Sequence, residues 1–194
     1  MERRVGTMKS LKCFLRNTKG AFSILFVILI FIGVMIATAF MDMLVKSYTL
    51  QEVQSVMDVA GVSALQTGVD SRKLRVEIFD VDKNVVESNY KRLVSERMNE
   101  SQKIINYRFV RTTVETFNEN WGLGITGKSR PQALIDSTMV IVVENSPMWD
   151  LIPGANETFY NSRDGEFFDV TYLGTTQDGQ VELSIRSVSR IVYR

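Results

Sequence analysis

The sequence predicts an α+β protein in which a long N-terminal transmembrane helix continues into an amphipathic stalk and is followed by a small mixed sheet-and-helix extracytoplasmic domain. Three observations predict it. Ala21 to Met41 runs for 21 positions without a charged side chain. Beyond it, Leu50, Val53, Met57, Ala60 and Ala64 recur at three- or four-residue spacing. Near the end of the sequence, two alternating apolar segments flank an Asp178-Gly179 turn. The expected divisions are a basic cytoplasmic leader over 1–20, a transmembrane helix over 21–41, a helical stalk over 42–69 and an α+β domain over 70–194.

A helix rises about 1.5 Å per residue, so the uncharged run is long enough for roughly 30 Å of hydrocarbon, with its interior amides and carbonyls satisfied within the helix. Leu25, Ile28, Leu29, Ile32, Met35 and Ile36 cover every side of it, which suits lipid better than a one-sided core helix. Arg3, Arg4, Lys9, Lys12, Arg16 and Lys19 precede it against a single acidic residue, Glu2. This bias is a topology signal that keeps the N-terminus in the cytoplasm and sends the longer C-terminal part across the membrane. A cleaved secretory signal and a buried soluble helix are the competing readings. The first is disfavoured by the length of the apolar run and by Phe40-Met41-Asp42, which makes a poor cleavage site.

The net charge of +1 conceals this polarity. Without its basic leader the chain is mildly acidic, which argues against nucleic acid as a partner. Cys13, on the expected cytoplasmic side, is the single cysteine, so no intrachain disulfide can form. The absence of His removes the commonest neutral metal ligand and the usual near-neutral proton carrier.

Past Asp42 no Pro interrupts the sequence before Gly68, and the apolar stripe from Leu50 to Ala64 alternates with Lys46, Gln51, Glu52, Gln54 and Asp58. A single helix of about 45 residues is expected, ending at Gly68. Its stripe needs a cover, from either the chain's own outer domain or neighbouring subunits, and is therefore a candidate assembly surface. Gly61 is expected to permit close packing against the outer domain. Gly33 with Ala37 is only a weak small-residue pair for helix association in lipid.

The segment GAFSILFVILIF, Gly20 to Phe31, resembles the start of TadG-like membrane proteins of the TadE-TadG type, from the tight-adherence or Flp pilus-assembly systems. The features that carry the likeness are Lys19-Gly20, then Ser23-Ile24-Leu25-Phe26, and Asp42. LQEVQSVMDVAGVSAL, Leu50 to Leu65, resembles the family's continuation through Gln51, Asp58, Ala60 and Ala64. The related E-like pseudopilins carry Glu at the fifth position after the processing Gly, where this chain has Leu25. That departure favours the G-like branch, in which the N-terminus is commonly retained; cleavage after Gly20 is the alternative. Asp136-Ser137-Thr138 lacks the metal-binding spacing of the longer adhesive versions. The resemblance implies a membrane-anchored accessory or minor pilin-like structural subunit, with pilin-like or pilus-base membrane proteins as partners.

In the outer domain, Leu74, Val76 and Ile78 alternate with charges as in a half-buried strand, and Asp82 is a candidate N-cap for a helix to about Glu100. Val86, Tyr90, Leu93, Val94 and Met98 form that helix's apolar side. Ile105, Tyr107 and Phe109 suggest a strand, while Val110, Val114 and Phe117 also have helical spacing. Asn118 to Arg130 reads as a turn-rich connection, Thr138 to Glu144 as a central strand, and Pro147 to Gly154 as loop. Phe168, Val170 and Tyr172 pair with Val181, Leu183 and Ile185 through the Asp-Gly turn. Ser187 to Tyr193 either extends that sheet or forms an exposed edge open to strand addition, with internal pairing the preferred reading.

No residue pattern here points to catalysis, and the expectation is no enzyme and no cofactor. Asp80 and Asp82 lack a cation-binding series and suit a helix start. Gly122 to Ser129 fails the phosphate-loop spacing. Trp149, between Pro147 and Pro153, is a candidate loop contact for a peptide or glycan, although a Trp that fastens the loop is the simpler reading. The partners expected are the lipid bilayer and, as the resemblance implies, pilin-like or pilus-base membrane proteins, with self-association left open. An independent surface or periplasmic ligand-binding module is the alternative.

Overall fold

The computed structural model describes residues 18–74, 79–117, 131–145, 149 and 152–192. The chain divides into two compact units, Met1–Lys46 and Ser47–Arg194. Helix α1, Thr18–Thr67, supplies residues to both.

From Phe22 onward α1 is, among the described residues, the one helix long and apolar enough to cross a membrane by length and composition. In the first unit its large apolar side chains face outward on all sides: Phe22, Leu25, Leu29, Phe31 and Ile36 are each between 61% and 74% exposed. Thr38 turns its hydroxyl back onto the Val34 carbonyl, so even this polar group is satisfied within the helix. A Cβ on Gly33 would meet nothing within 4 Å.

The second unit is a four-stranded sheet with helices on one face. After the end of α1 come the short helix α2, Ser71–Leu74, and helix α3, Lys83–Glu100. Strands β1, Ile104–Phe117, and β2, Gln132–Val143, precede helix α4, Ala155–Asn161. Strands β3, Phe168–Thr175, and β4, Val181–Val192, complete the sheet. The spatial order is β1-β2-β4-β3, and every neighbouring pair is antiparallel.

The registers place Phe109, Met139, Ile185 and Val170 side by side across the four strands, and the helices cover this face. Along β2 the residues Ala133, Ile135, Ser137, Met139 and Ile141 are buried and alternate with more accessible ones. Strand β4 repeats the pattern from Val181 to Ser189. This period of two is what a sheet covered on one face requires.

The stripe Leu50, Val53, Met57, Ala60 and Ala64 is buried to 4% exposure or less and belongs to the core of the chain's own domain. Of the two covers the sequence allowed, the chain supplies its own. Burying Leu50, Val53 and Met57 contributes about 1.5–3 kcal/mol each. The stripe offered as a candidate assembly surface is therefore not accessible to a neighbour, and the stalk from Ser47 on is part of the domain rather than a segment preceding it.

The helix ends as expected: the Gly68 amide donates to Ala64 O at 3.0 Å, and a Cβ on Gly68 would lie 2.1 Å from Val86 Cγ2. A bridge between Val69 and Val81 closes the following excursion, with Asp82 N donating to Gly68 O at 2.9 Å. The strand expected to begin at Leu74 is corrected there, because Leu74 ends α2; residues 75–78 lie outside the described residues. Asp82 caps α3 as expected, its carboxylate accepting from Asn84 N at 3.1 Å and Val85 N at 3.2 Å.

Strand β1 runs through to Phe117, so the helical spacing of Val110, Val114 and Phe117 does not produce a helix. A register shift between Phe109 and Arg111 breaks the alternation there and explains why the sequence pattern is ambiguous. The turn-rich connection over 118–130 lies outside the described residues. Gly179 takes φ +76° at the β3–β4 turn, the left-handed conformation that glycine adopts at no steric cost. Strand β4 lies between β2 and β3 over Val181–Ser187, while Val188–Val192 extend the sheet through pairing with β2.

Candidate functional site

Where α1 crosses the sheet, the interface is close and polar. A Cβ on Gly61 would sit 2.4 Å from Ser189 Oγ, 2.6 Å from Ser189 Cβ and 3.1 Å from Ile135 Cγ2. Small residues on both sides permit this approach, and Ser137, Ser187 and Ser189 bring hydroxyls into the core. Those hydroxyls need partners, since a buried unpaired polar group costs about 1–3 kcal/mol. Ser187 donates to Asp58 at 2.8 Å, and Thr112 shares a 3.3 Å hydrogen bond with Ser137. Burial pushes the Tyr90 phenol up to about 12, opposed by its hydrogen bond to Ser137 and reinforced by the Asp58 and Asp136 charges.

Of the residues that carry the resemblance, Asp58 ties α1 to β4, and Ala60 and Ala64 are buried in the core. Gln51 of the same motif is exposed. Ser23, Ile24, Leu25 and Phe26 are exposed on α1. Gly20 lies within this helix, as does Asp42. Of the topology residues, Arg3, Arg4, Lys9, Lys12 and Arg16 lie outside the described residues, and Lys19 is in the first turn of α1.

The face of the sheet opposite the helices carries the charge. Arg186 grips Asp136 with three contacts of 2.7, 3.0 and 3.2 Å, and donating to that carboxylate raises the guanidinium pKa above its ordinary value. Arg108 reaches from β1 to Glu182 on β4 at 3.2 Å. Toward the start of β2, Phe117, Leu134, Phe167 and Val188 line a groove of about 610 Å³ with Arg186 and Arg190. Arg190 lies over the Phe167 ring at 5.0 Å. Asp164 and Glu166 also line it. Sequence reading missed this groove, because its residues come from three strands and a loop and share no local motif.

Trp149 is half-buried against Phe159, with ring centroids 5.5 Å apart in an edge-on arrangement. Phe159 meets Tyr160 at 5.1 Å, and Tyr160 stacks on Tyr172 of β3 at 6.5 Å. The ring contacts run from Trp149 through Phe159 and Tyr160 of α4 to Tyr172 of β3. Asp80 pairs with Lys73, which holds its carboxyl below the usual range and raises the Lys73 ammonium. No group of metal-ligating side chains occurs among the described residues. Gly122 to Ser129 lies outside them.

No family model matches the chain, and no curated protein or solved structure matches it. The fold and its surfaces define a mixed α/β domain preceded by one long apolar helix.

Proposed function

We propose that this chain is a single-pass accessory or minor pilin-like structural subunit of a bacterial pilus or secretion apparatus. It sits in the cytoplasmic membrane with the leader inside and Ser47–Arg194 outside. The observation that carries the reading is the bare apolar surface of α1 from Phe22 to Met41, whose exposure in water would be costly and which lipid would cover. The basic leader supports the orientation, and the likeness of Gly20–Phe31 and Leu50–Leu65 to TadG-like proteins supports the machine. The role is one of anchoring and assembly, with no bond chemistry assigned.

Two measurements test it. After alkaline carbonate extraction the full-length chain stays with the membrane, and external protease removes the domain while sparing the leader; soluble protein or the reverse protection pattern overturns the anchor. A photoreactive residue at Val59, which is 67% exposed, then reports neighbours in native membranes. Adducts with pilin-like or pilus-base proteins support assembly, and their absence from an intact apparatus overturns it.

The groove beside Arg186 and Arg190 favours a second reading, a surface or periplasmic binding module, since its volume falls within the roughly 300–1,000 Å³ of small-molecule sites. Saturable binding of an anionic ligand that Arg190→Ala abolishes would select it.

A further inference from the structure

The two edges of the sheet are treated differently. The outer edge of β3 is closed by the chain itself: Val170 N donates to Arg163 O at 3.2 Å and Tyr172 N to Asn161 Oδ1 at 2.8 Å. Strand β1 has β2 on one side and no strand on the other among the described residues. Near its start, Tyr107 N is taken up by Asn106 Oδ1, and the register shift at Phe109/Arg111 distorts the ladder, both of which blunt an edge. From Arg111 to Phe117 the register is regular and neither device is present.

This regular stretch also holds two charges without an ion pair among the described residues. Arg108 and Arg186 on the open face have acidic partners, whereas Arg111 and Glu115 on the same face have no ion pair among the described residues. Arg111 donates to Thr113 Oγ1 at 3.0 Å. Thr113 lies midway between them. An antiparallel copy of β1 aligned with Thr113 opposite Thr113 therefore sets Arg111 opposite Glu115 and Glu115 opposite Arg111. Residues directly opposed in an antiparallel ladder point to the same face, so both pairs meet on the open side.

We propose that residues 111–117 of β1 form a two-fold interface with a second copy of this chain, centred on Thr113, which joins two sheets into one of eight strands. The fit is self-complementary in the way a symmetric dimer requires, and the main-chain groups of the free edge gain partners. The match in charge selects a second copy over an unrelated strand. Shifting the alignment by two residues in either direction would lose both opposed pairs.

The test uses the full-length protein in detergent or reconstituted vesicles, with Cys13→Ser so that the introduced thiol is unique. Opposed Cα atoms in an antiparallel ladder lie about 4.5–5.5 Å apart, within disulfide range. Thr113→Cys should therefore oxidise to a covalent dimer, whereas Thr171→Cys on the closed β3 edge should not. A monomeric Thr113→Cys protein under conditions that oxidise a control thiol overturns the proposal, as does equal dimer from both variants. Adding Arg111→Glu should reduce the dimer about tenfold by placing like charges opposite each other twice, and adding Glu115→Arg to that variant should restore it. Loss without restoration also overturns the register. Because the readout is self-association alone, it is independent of whether a pilus machine contains the protein.

Discussion

Ser187 Oγ donates to an Asp58 carboxylate oxygen at 2.8 Å, joining helix α1 to the interior strand β4 across 129 residues of sequence. Two further contacts belong to the same core: Gly61 faces Ser189, and the buried Ser137 hydroxyl meets Thr112 and Tyr90. A helix held this closely is fixed in rotation and in height on the sheet. An apolar contact of equal area would fix neither as tightly.

Gly61→Ala should destabilise the domain by about 1–3 kcal/mol, the usual cost of forcing extra atoms into a filled interface. Denaturant unfolding of the full chain in detergent measures it. Because the added Cβ would meet both Ser189 Oγ and Ser189 Cβ, Ser189→Gly should recover part of the loss, less the cost of glycine in a strand.

Tyr90 makes stability fall at high pH. Its phenol ionises at about 12 in the folded state and near 10 when free, so between these values the unfolded chain has already lost the proton that the folded chain keeps. The contribution is complete below pH 10 and disappears as pH rises through 12. Tyr90→Phe should flatten that part of the stability curve, measured by unfolding at pH 9 to 12 against the parent chain.

Removing the cap of α3 should be local and modest. Asp82→Ala leaves the amides of Asn84 and Val85 without their shared acceptor and should cost about 0.5–2 kcal/mol, whereas Asp82→Ser should retain most of the stability. Hydrogen exchange at the first turn of α3 gives the site-specific reading.

Phe31→Arg places a charge in the middle of the apolar run, where insertion carries a penalty of about 2.5–3.5 kcal/mol. The share of protein retained by membranes after carbonate extraction should fall relative to Phe31→Leu. Equal retention of the two variants would show that this stretch is not in contact with hydrocarbon.

Much of the architecture was legible because local chemistry and tertiary contacts agree. The periodicity of Leu50 to Ala64, the Asp82 cap and the Asp178-Gly179 turn each specify structure through near neighbours, and each is found. Helix α4 was missed because seven residues, Ala155–Asn161, are too few to establish a period, and it is held by Tyr160 against Tyr172 rather than by its own propensity. The position of β4 between β2 and β3 was one of two open readings, since alternation gives a strand its faces but not its neighbours. The groove at Arg186 and Arg190 and the placing of Arg111 and Glu115 on β1 were invisible for the same reason. They depend on which strands lie together.

The interior place of β4 also sets a timetable. During synthesis β2 emerges with only β1 to pair with, and its other edge, rich in Val and Ile, must wait until residues 181–192 arrive. A domain that emerges in sequence order would pass through an interval in which this sticky edge is bare, slow to find its distant mate and vulnerable to pairing with the wrong one. A holding chaperone at the exit side would have most to do in that interval, and little once the latecomer has slotted in.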